Sequence, residues 1–180
     1  VEFFKTEISD ILIVKNQIHK DDRGYFMESY QKEDFYDGSI FVDFVQDNQV
    51  KTNKKCIIRG LHYQLIHPQA KLIRVIRGEI YDVAVDIRKK SPTFKKWVGK
   101  VLNDKDKLQM FIPPGFAHGY CTLTENTEVI YKCSEYYDPK DERGIAWDDP
   151  DISIKWPINN PILSSKDQNN SLIKKAKLPD

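Results

Sequence analysis

The sequence predicts an all-β protein, an antiparallel sandwich or barrel carrying only a few short peripheral helices. Short apolar runs with period-two alternation recur at close intervals through the 180 residues. Clusters of Gly, Pro, Asn and Asp separate them. Long stretches of helical periodicity are almost absent, which argues against strands alternating with helices. Apolar content of 40% and charged content of 31% are ordinary for a globular protein. At this length one domain with a sizeable core is expected, and no repeat or linker divides residues 1–180.

Ile11-Leu12-Ile13-Val14 reads as a buried strand. The turn signal Asp21-Asp22-Arg23-Gly24 leads into a strand over Tyr25–Tyr30. Lys32–Tyr36 reads as a short helix ended by Asp37-Gly38. Phe44–Val50 reads as a strand with Phe44, Gln46 and Asn48 on one face. Polar groups beside an aromatic there mean either solvent or a ligand cavity. Thr52–Lys55 is a solvated turn, and Arg59–Gln64 is the next strand. Leu72–Arg77 and Glu79–Ile87 flank Gly78 and read as an antiparallel pair. Tyr81, Val83, Val85 and Ile87 form an apolar face. Lys89–Thr93 is a turn; Trp97–Leu102, Met110–Ile112 and Glu128–Ser134 are strands, the last with Val129, Tyr131 and Cys133 on one face. Asp138–Gly144 reads as a charged loop, and Ser171–Ala176 as a weak terminal helix.

The net charge of +1 gives no global field for nucleic acid or an anionic membrane, so any anion site must be local. Cys56, Cys121 and Cys133 are odd in number and widely spaced, which fits a reducing cytoplasm better than a disulfide framework. None forms a C-x-x-C pair, so they do not suggest zinc. The first residues lack a signal-peptide layout, and no apolar run approaches membrane-spanning length.

The densest chemistry lies between Arg59 and Lys71. Strict alternation puts Arg59, Leu61 and Tyr63 on one face and Gly60, His62 and Gln64 on the other. His62 can move a proton near neutral pH, and Arg59 and Lys71 bring positive charge suited to phosphate or a developing oxyanion. Taken alone, the stretch is also a strand with a satisfied histidine and two solvated cations.

Pro113-x-Gly115-x-x-His118 resembles the second half-motif of cupins, which are double-stranded β-helix barrels of the jelly-roll kind. Metal cupins carry a His-x-His pair earlier in the chain, where this sequence has His62-Tyr63-Gln64. The fold resemblance stands, and the resident metal of a cupin oxygenase is disfavoured.

A closer resemblance covers nearly the whole chain. Asp22-Arg23-Gly24-Tyr25-Phe26-Met27-Glu28, Phe44-Val45-Gln46-Asp47-Asn48 and Arg59-Gly60-Leu61-His62-Tyr63-Gln64 are similar to signatures of dTDP-4-dehydrorhamnose 3,5-epimerases. So are Gly78–Asp86, Pro114-Gly115-Phe116-Ala117-His118-Gly119, Ile130-Tyr131-Lys132, Trp147-Asp148-Asp149-Pro150 and Ser165-Lys166-Asp167, in the same order. Tyr63 stands where Phe is common, and the loop from His62 to Lys71 is slightly short.

The resemblance implies inversion of C3 and C5 in a dTDP-linked 4-keto-6-deoxy sugar. Both carbons lie α to one ketone, which serves as electron sink, so neither cofactor nor metal is implied. It makes His62 the base, Asp167 its orienting partner, Tyr131 the opposite-face acid and Lys71 the enolate stabiliser with His118 close by. Asp167 could equally be an N-cap, Tyr131 a core aromatic and Lys71 a solvated cation. Arg23 and Arg59 match phosphate-binding positions; Glu28, Gln46, Asn48, Glu142 and Lys166 match the substrate cleft. Phe26 matches an aromatic that reaches the thymine from the partner subunit of a homodimer. The rival readings are a C5-only or C3-only epimerase or a ketoisomerase on a dTDP- or GDP-linked sugar, and, from another class, a non-catalytic carbohydrate-binding jelly roll.

Overall fold

Two antiparallel sheets face each other in the computed structural model, which describes residues 1–180. The strands are β1 (Glu2–Lys5), β2 (Leu12–Lys15), β3 (His19–Asp21), β4 (Gly24–Phe26), β5 (Gln46–Thr52), β6 (Ile58–Gln64) and β7 (Lys71–Arg77). They continue as β8 (Glu79–Asp86), β9 (Trp97–Asn103), β10 (Gln109–Ile112), β11 (Phe116–Thr122), β12 (Thr127–Cys133) and β13 (Glu142–Gly144). One sheet has the order β1-β2-β10-β7-β12-β5, and the other β13-β6-β11-β8-β9; β3 and β4 form a separate hairpin. This is a cupin-like jelly roll, with α1 (Lys32–Asp37), α2 (Ser165–Gln168) and one 3₁₀ turn (Ile173–Lys175) at the periphery.

Alternation explains the layering. Ile73 and Val75 of β7, Met110 and Ile112 of β10 and Val129 of β12 pack against Ile80 and Ala84 of β8, Val98 and Leu102 of β9, and Phe116 of β11. The opposite face of β8, with Val83, Val85 and Ile87, is covered by Ile145, Ile152, Ile173 and Leu178. That second layer explains why β8 is buried on both faces. Phe35 of α1 fills a third cluster with Val14, Leu72 and Phe111 on the outside of the larger sheet.

Several expectations are corrected. The segments flanking Gly78 do not pair with each other: β7 lies in one sheet and β8 in the other. A single residue is too short for a hairpin loop. Gly78, at φ +80°, instead turns the chain between sheets, and a Cβ there would lie 2.4 Å from Thr124 Oγ1. The strand expected over Tyr25–Tyr30 is ordered as one only through Phe26. Glu142–Gly144, read as loop, pairs with Gln64–His62 as an edge strand. The Phe44–Val50 strand begins and ends two residues later. Glu2–Lys5 and His19–Asp21 are strands that carried no sequence expectation.

Strict alternation also fails in β6. His118 pairs with His62 and Tyr120 with Arg59, so three steps of β6 oppose two of β11. This bulge inserts one residue and brings Arg59 round to the face of His62. Gly60, at φ +121°, permits it: a Cβ there would lie 2.7 Å from Gly119 Cα.

Asp86 fastens the turn after β8. Burial would raise its pKa, but hydrogen bonds from Arg88, Ser91 and Thr93 outweigh that and lower it from 3.8 to about 2. Stability from this carboxylate is therefore present above about pH 4 and lost as pH falls towards 2. Asp86→Asn is expected to lower Tm at pH 7, with the deficit shrinking to near zero at pH 2. A constant deficit in melting curves across that range would show that the carboxylate's charge contributes nothing.

Candidate active site

A cleft is lined by residues of both sheets. One lobe, of about 480 Å³, is lined by Arg59, His62, Lys71, His118, Tyr120, Tyr131, Lys166 and Asp167, among others. A second, of about 350 Å³, shares His62, Lys71 and Tyr131 and adds Gln46, Asn48, Gln64, Tyr137 and Glu142. Together they have the size of a small-molecule site.

His62 comes from β6, and its Nε2 lies 2.6 Å from Asp167 Oδ1. Asp167 is buried in α2. Burial pushes its pKa up, but the His62 contact and donors from Ser164 and Gly60 prevail and hold it below the usual range. A carboxylate only accepts, so His62 donates through Nε2 and its Nδ1 carries the lone pair. Such charge-assisted bonds contribute roughly 1.5–3 kcal/mol and fix the ring's tautomer and orientation. Asp167 is not the N-cap of its helix. Ser164 holds that position, its Oγ accepting from Asp167 N at 3.1 Å.

Tyr131 stands on β12, in the sheet opposite β6, with its side chain in both lobes. Burial, with Cys133 and Glu142 nearby, pushes its phenol up to about 12. It is thus a protonated donor across the physiological range. Lys71 begins β7 between the two lobes, and desolvation pulls its ammonium pKa down against the opposing pull of Cys133, Glu142 and Asp82. A cation held dry beside a forming oxyanion interacts more strongly than one in water. His118 is buried, its Nε2 2.7 Å from Asp82 Oδ1.

The second lobe is built from a chain of hydrogen bonds. Gln46 Nε2 donates to Asn48 Oδ1 at 3.0 Å, and Gln46 Oε1 accepts from Tyr137 N at 2.9 Å. Tyr137 Oη donates to Glu142 Oε2 at 2.9 Å, and Lys166 pairs with the same carboxylate. Glu142 Oε1 stands 3.9 Å from His62 Nδ1. Buried Gln64 ties this wall to β6: its amide donates to His67 O and Tyr136 O and accepts from Asp138 N. Asp141 accepts from the amides of Leu65, Ile66 and His67, fixing the loop after β6.

Of the residues expected at the site, His62, Lys71, His118, Tyr131, Asp167, Arg59, Gln46, Asn48, Glu142 and Lys166 line this cleft. Arg23, Phe26 and Glu28 do not. Arg23 projects from the β3–β4 hairpin and pairs with Asp21 at 2.6 Å; Phe26 is 67% exposed. Sequence reasoning missed Asp82, Tyr120 and Tyr137, and placed Gln64 on the face of His62 without a role. Two-residue spacing could have found Asp82 and Tyr120. Asp82 lies opposite the Tyr81 face, and Tyr120 follows His118 by two. Nothing local marks Tyr137. No group of three His, Cys, Asp or Glu side chains gathers to suit a metal.

The family model described as dTDP-4-dehydrorhamnose 3,5-epimerase matches residues 5–175. The chain is 51% identical over 167 residues to dTDP-4-dehydrorhamnose 3,5-epimerase of Shigella flexneri, covering 92% of each chain. Its fold matches the crystal structure of dTDP-6-deoxy-D-glucose-3,5-epimerase from Legionella pneumophila in complex with dTDP-4-keto-L-rhamnose. There the TM-score is 0.95 and identity 41%, over 99% of this chain and 97% of that one. The dTDP-4-dehydrorhamnose 3,5-epimerase of Bacillus anthracis with TDP and PPi bound gives a TM-score of 0.92 at 43% identity, over 95% and 98%.

Proposed function

Because the chain belongs to the dTDP-4-dehydrorhamnose 3,5-epimerase family, we propose that it converts dTDP-4-keto-6-deoxyglucose to dTDP-4-keto-L-rhamnose with the residues of this cleft. The observation that carries the assignment of roles is His62 on one sheet, held by Asp167 of α2, and Tyr131 on the other sheet lining the same cleft. Inversion needs a base on one face of the sugar and an acid on the other.

His62 removes the proton from C3 or C5, and Asp167 stabilises the resulting imidazolium. Negative charge moves to O4, where Lys71 stabilises it with His118 close by. Tyr131 delivers a proton from the opposite face. Both carbons flank the same ketone, so one base, one acid and one oxyanion pocket serve two successive inversions. The ketone takes up the electron pair, and no redox cofactor enters this scheme. Arg59 and Lys166 supply positive charge for the diphosphate. Gln46, Asn48 and Tyr137 form the wall suited to a nucleobase, and Glu142 orders it.

Incubation with dTDP-4-keto-6-deoxyglucose in deuterated water tests the reading. Label at both C3 and C5 with inverted products is expected. Label at one carbon only would mean a mono-epimerase, and label at neither would leave a binding module.

Arg23, Phe26 and Glu28 lie away from this cleft, on a hairpin and the segment after it. Phe26 and Tyr25 are 67% and 58% exposed there. Their places fit a homodimer in which that segment completes the neighbour's site, with Phe26 against the base. Light scattering at assay concentration is expected to give a dimer, and Phe26→Ala a raised KM. A fully active monomer would exclude the arrangement. The three free cysteines favour a reducing compartment, and the cytoplasm is the proposed location. No helix is long and apolar enough to cross a membrane.

A further inference from the structure

Tyr120 lies on β11, two residues beyond His118 and opposite Arg59 of β6. Its side chain is 4% exposed and lines the larger lobe. Its ring stands 6.3 Å from that of His118. Its hydroxyl is buried and has no hydrogen-bond partner in the protein. Thr52 is near enough to lower the phenol's pKa, but no contact between the two hydroxyls has hydrogen-bond geometry, and Thr52 Oγ1 accepts from Arg59 Nε at 3.2 Å. Burial raises the phenol to about 12, so it is a neutral donor at working pH. A buried hydroxyl left without a partner is destabilising, and a phenylalanine would fill the same volume without that cost.

We propose that the Tyr120 hydroxyl is a substrate contact, donating a hydrogen bond to a hydroxyl of the bound hexose. This rests on the epimerase reading and adds a residue to it. The sugar is the assigned partner because Tyr120 shares its lobe with His118 and Asp167, which line that lobe alone of the two. Gln46, Asn48 and Tyr137, the wall assigned to the base, line the other. The bulge in β6 sets the geometry, since it brings Arg59 and its Thr52 contact to the same face and leaves the phenol free for a ligand.

Tyr120→Phe in the full chain separates a substrate contact from a packing role. Tm without ligand is expected to be unchanged or higher. KM for dTDP-4-keto-6-deoxyglucose is expected to rise roughly tenfold, the worth of one hydrogen bond, with a much smaller change in kcat. Calorimetric affinity for dTDP alone is expected to stay at the parent value. Parent kinetics would overturn the proposal, as would a lower Tm, which marks a structural hydroxyl. An equal loss of dTDP affinity would overturn the assignment to the sugar. A parent protein that does not turn this substrate over would sink the epimerase reading itself and this contact with it.

Discussion

His62→Ala is expected to slow loss of the α-protons at both C3 and C5 by at least roughly 10²–10⁴-fold, the contribution of one general base. In the proposed scheme a single Nδ1 lone pair serves both carbons, held by the 2.6 Å contact of Nε2 with Asp167. Deuterium wash-in, followed at each carbon by NMR, should therefore fall together at the two positions. Asp167→Asn is expected to cost less. The imidazole remains, but an amide neither fixes the Nε2–H tautomer nor stabilises the imidazolium. The fold should survive both changes, because His62 is only half-buried and Ser164 continues to cap α2. If exchange at one carbon persists at the parent rate in His62→Ala, a second base serves that carbon and the single-base scheme fails.

Tyr131→Phe is expected to uncouple exchange from inversion. The ring still fills its place beside the core, so the Tm should hold. His62 can still take a proton and return it to the same face, so label should enter at one or both carbons. What disappears is the donor from the other sheet, and net inversion should fall by roughly 10²-fold or more, most of all at C5. Because burial holds the phenol at about 12, the parent's donor stays protonated up to strongly alkaline pH. Its ionisation should not limit the rate near neutrality. Inversion of both centres at the parent rate in Tyr131→Phe would make Tyr131 a packing residue and leave water as the first candidate acid.

Local pattern carried the sequence reading well where one face of a strand meets the core. Val83, Val85 and Ile87, and the helix ended by Gly38, are where periodicity and turn chemistry place them. The family motifs carried most of the site, since ten of the thirteen expected residues line one cleft. Pattern failed where the answer depends on which strand lies next to which. A glycine between two β-runs reads as a hairpin, yet Gly78 carries the chain from one sheet to the other. Glu142–Gly144 looks like loop because it is short and charged, and only the free edge of β6 makes it a strand.

The sequence by itself determined that the chain is built of strands and which residues turn inwards on most of them, and its motifs grouped His62, Tyr131 and Asp167 as candidates for one chemistry. These depend on period-two alternation and on motifs that persist in the chain's order. Only the tertiary structure decided that Arg59 shares a face with His62, that Asp82 holds His118, and that Asp167 reaches across 105 positions to hold His62. It alone left the Tyr120 hydroxyl unpaired in the cleft. The physical reason is that hydrogen bonds, bulges and desolvation depend on distance in space. The pairing of two sheets sets those distances, and no window of neighbouring residues contains them.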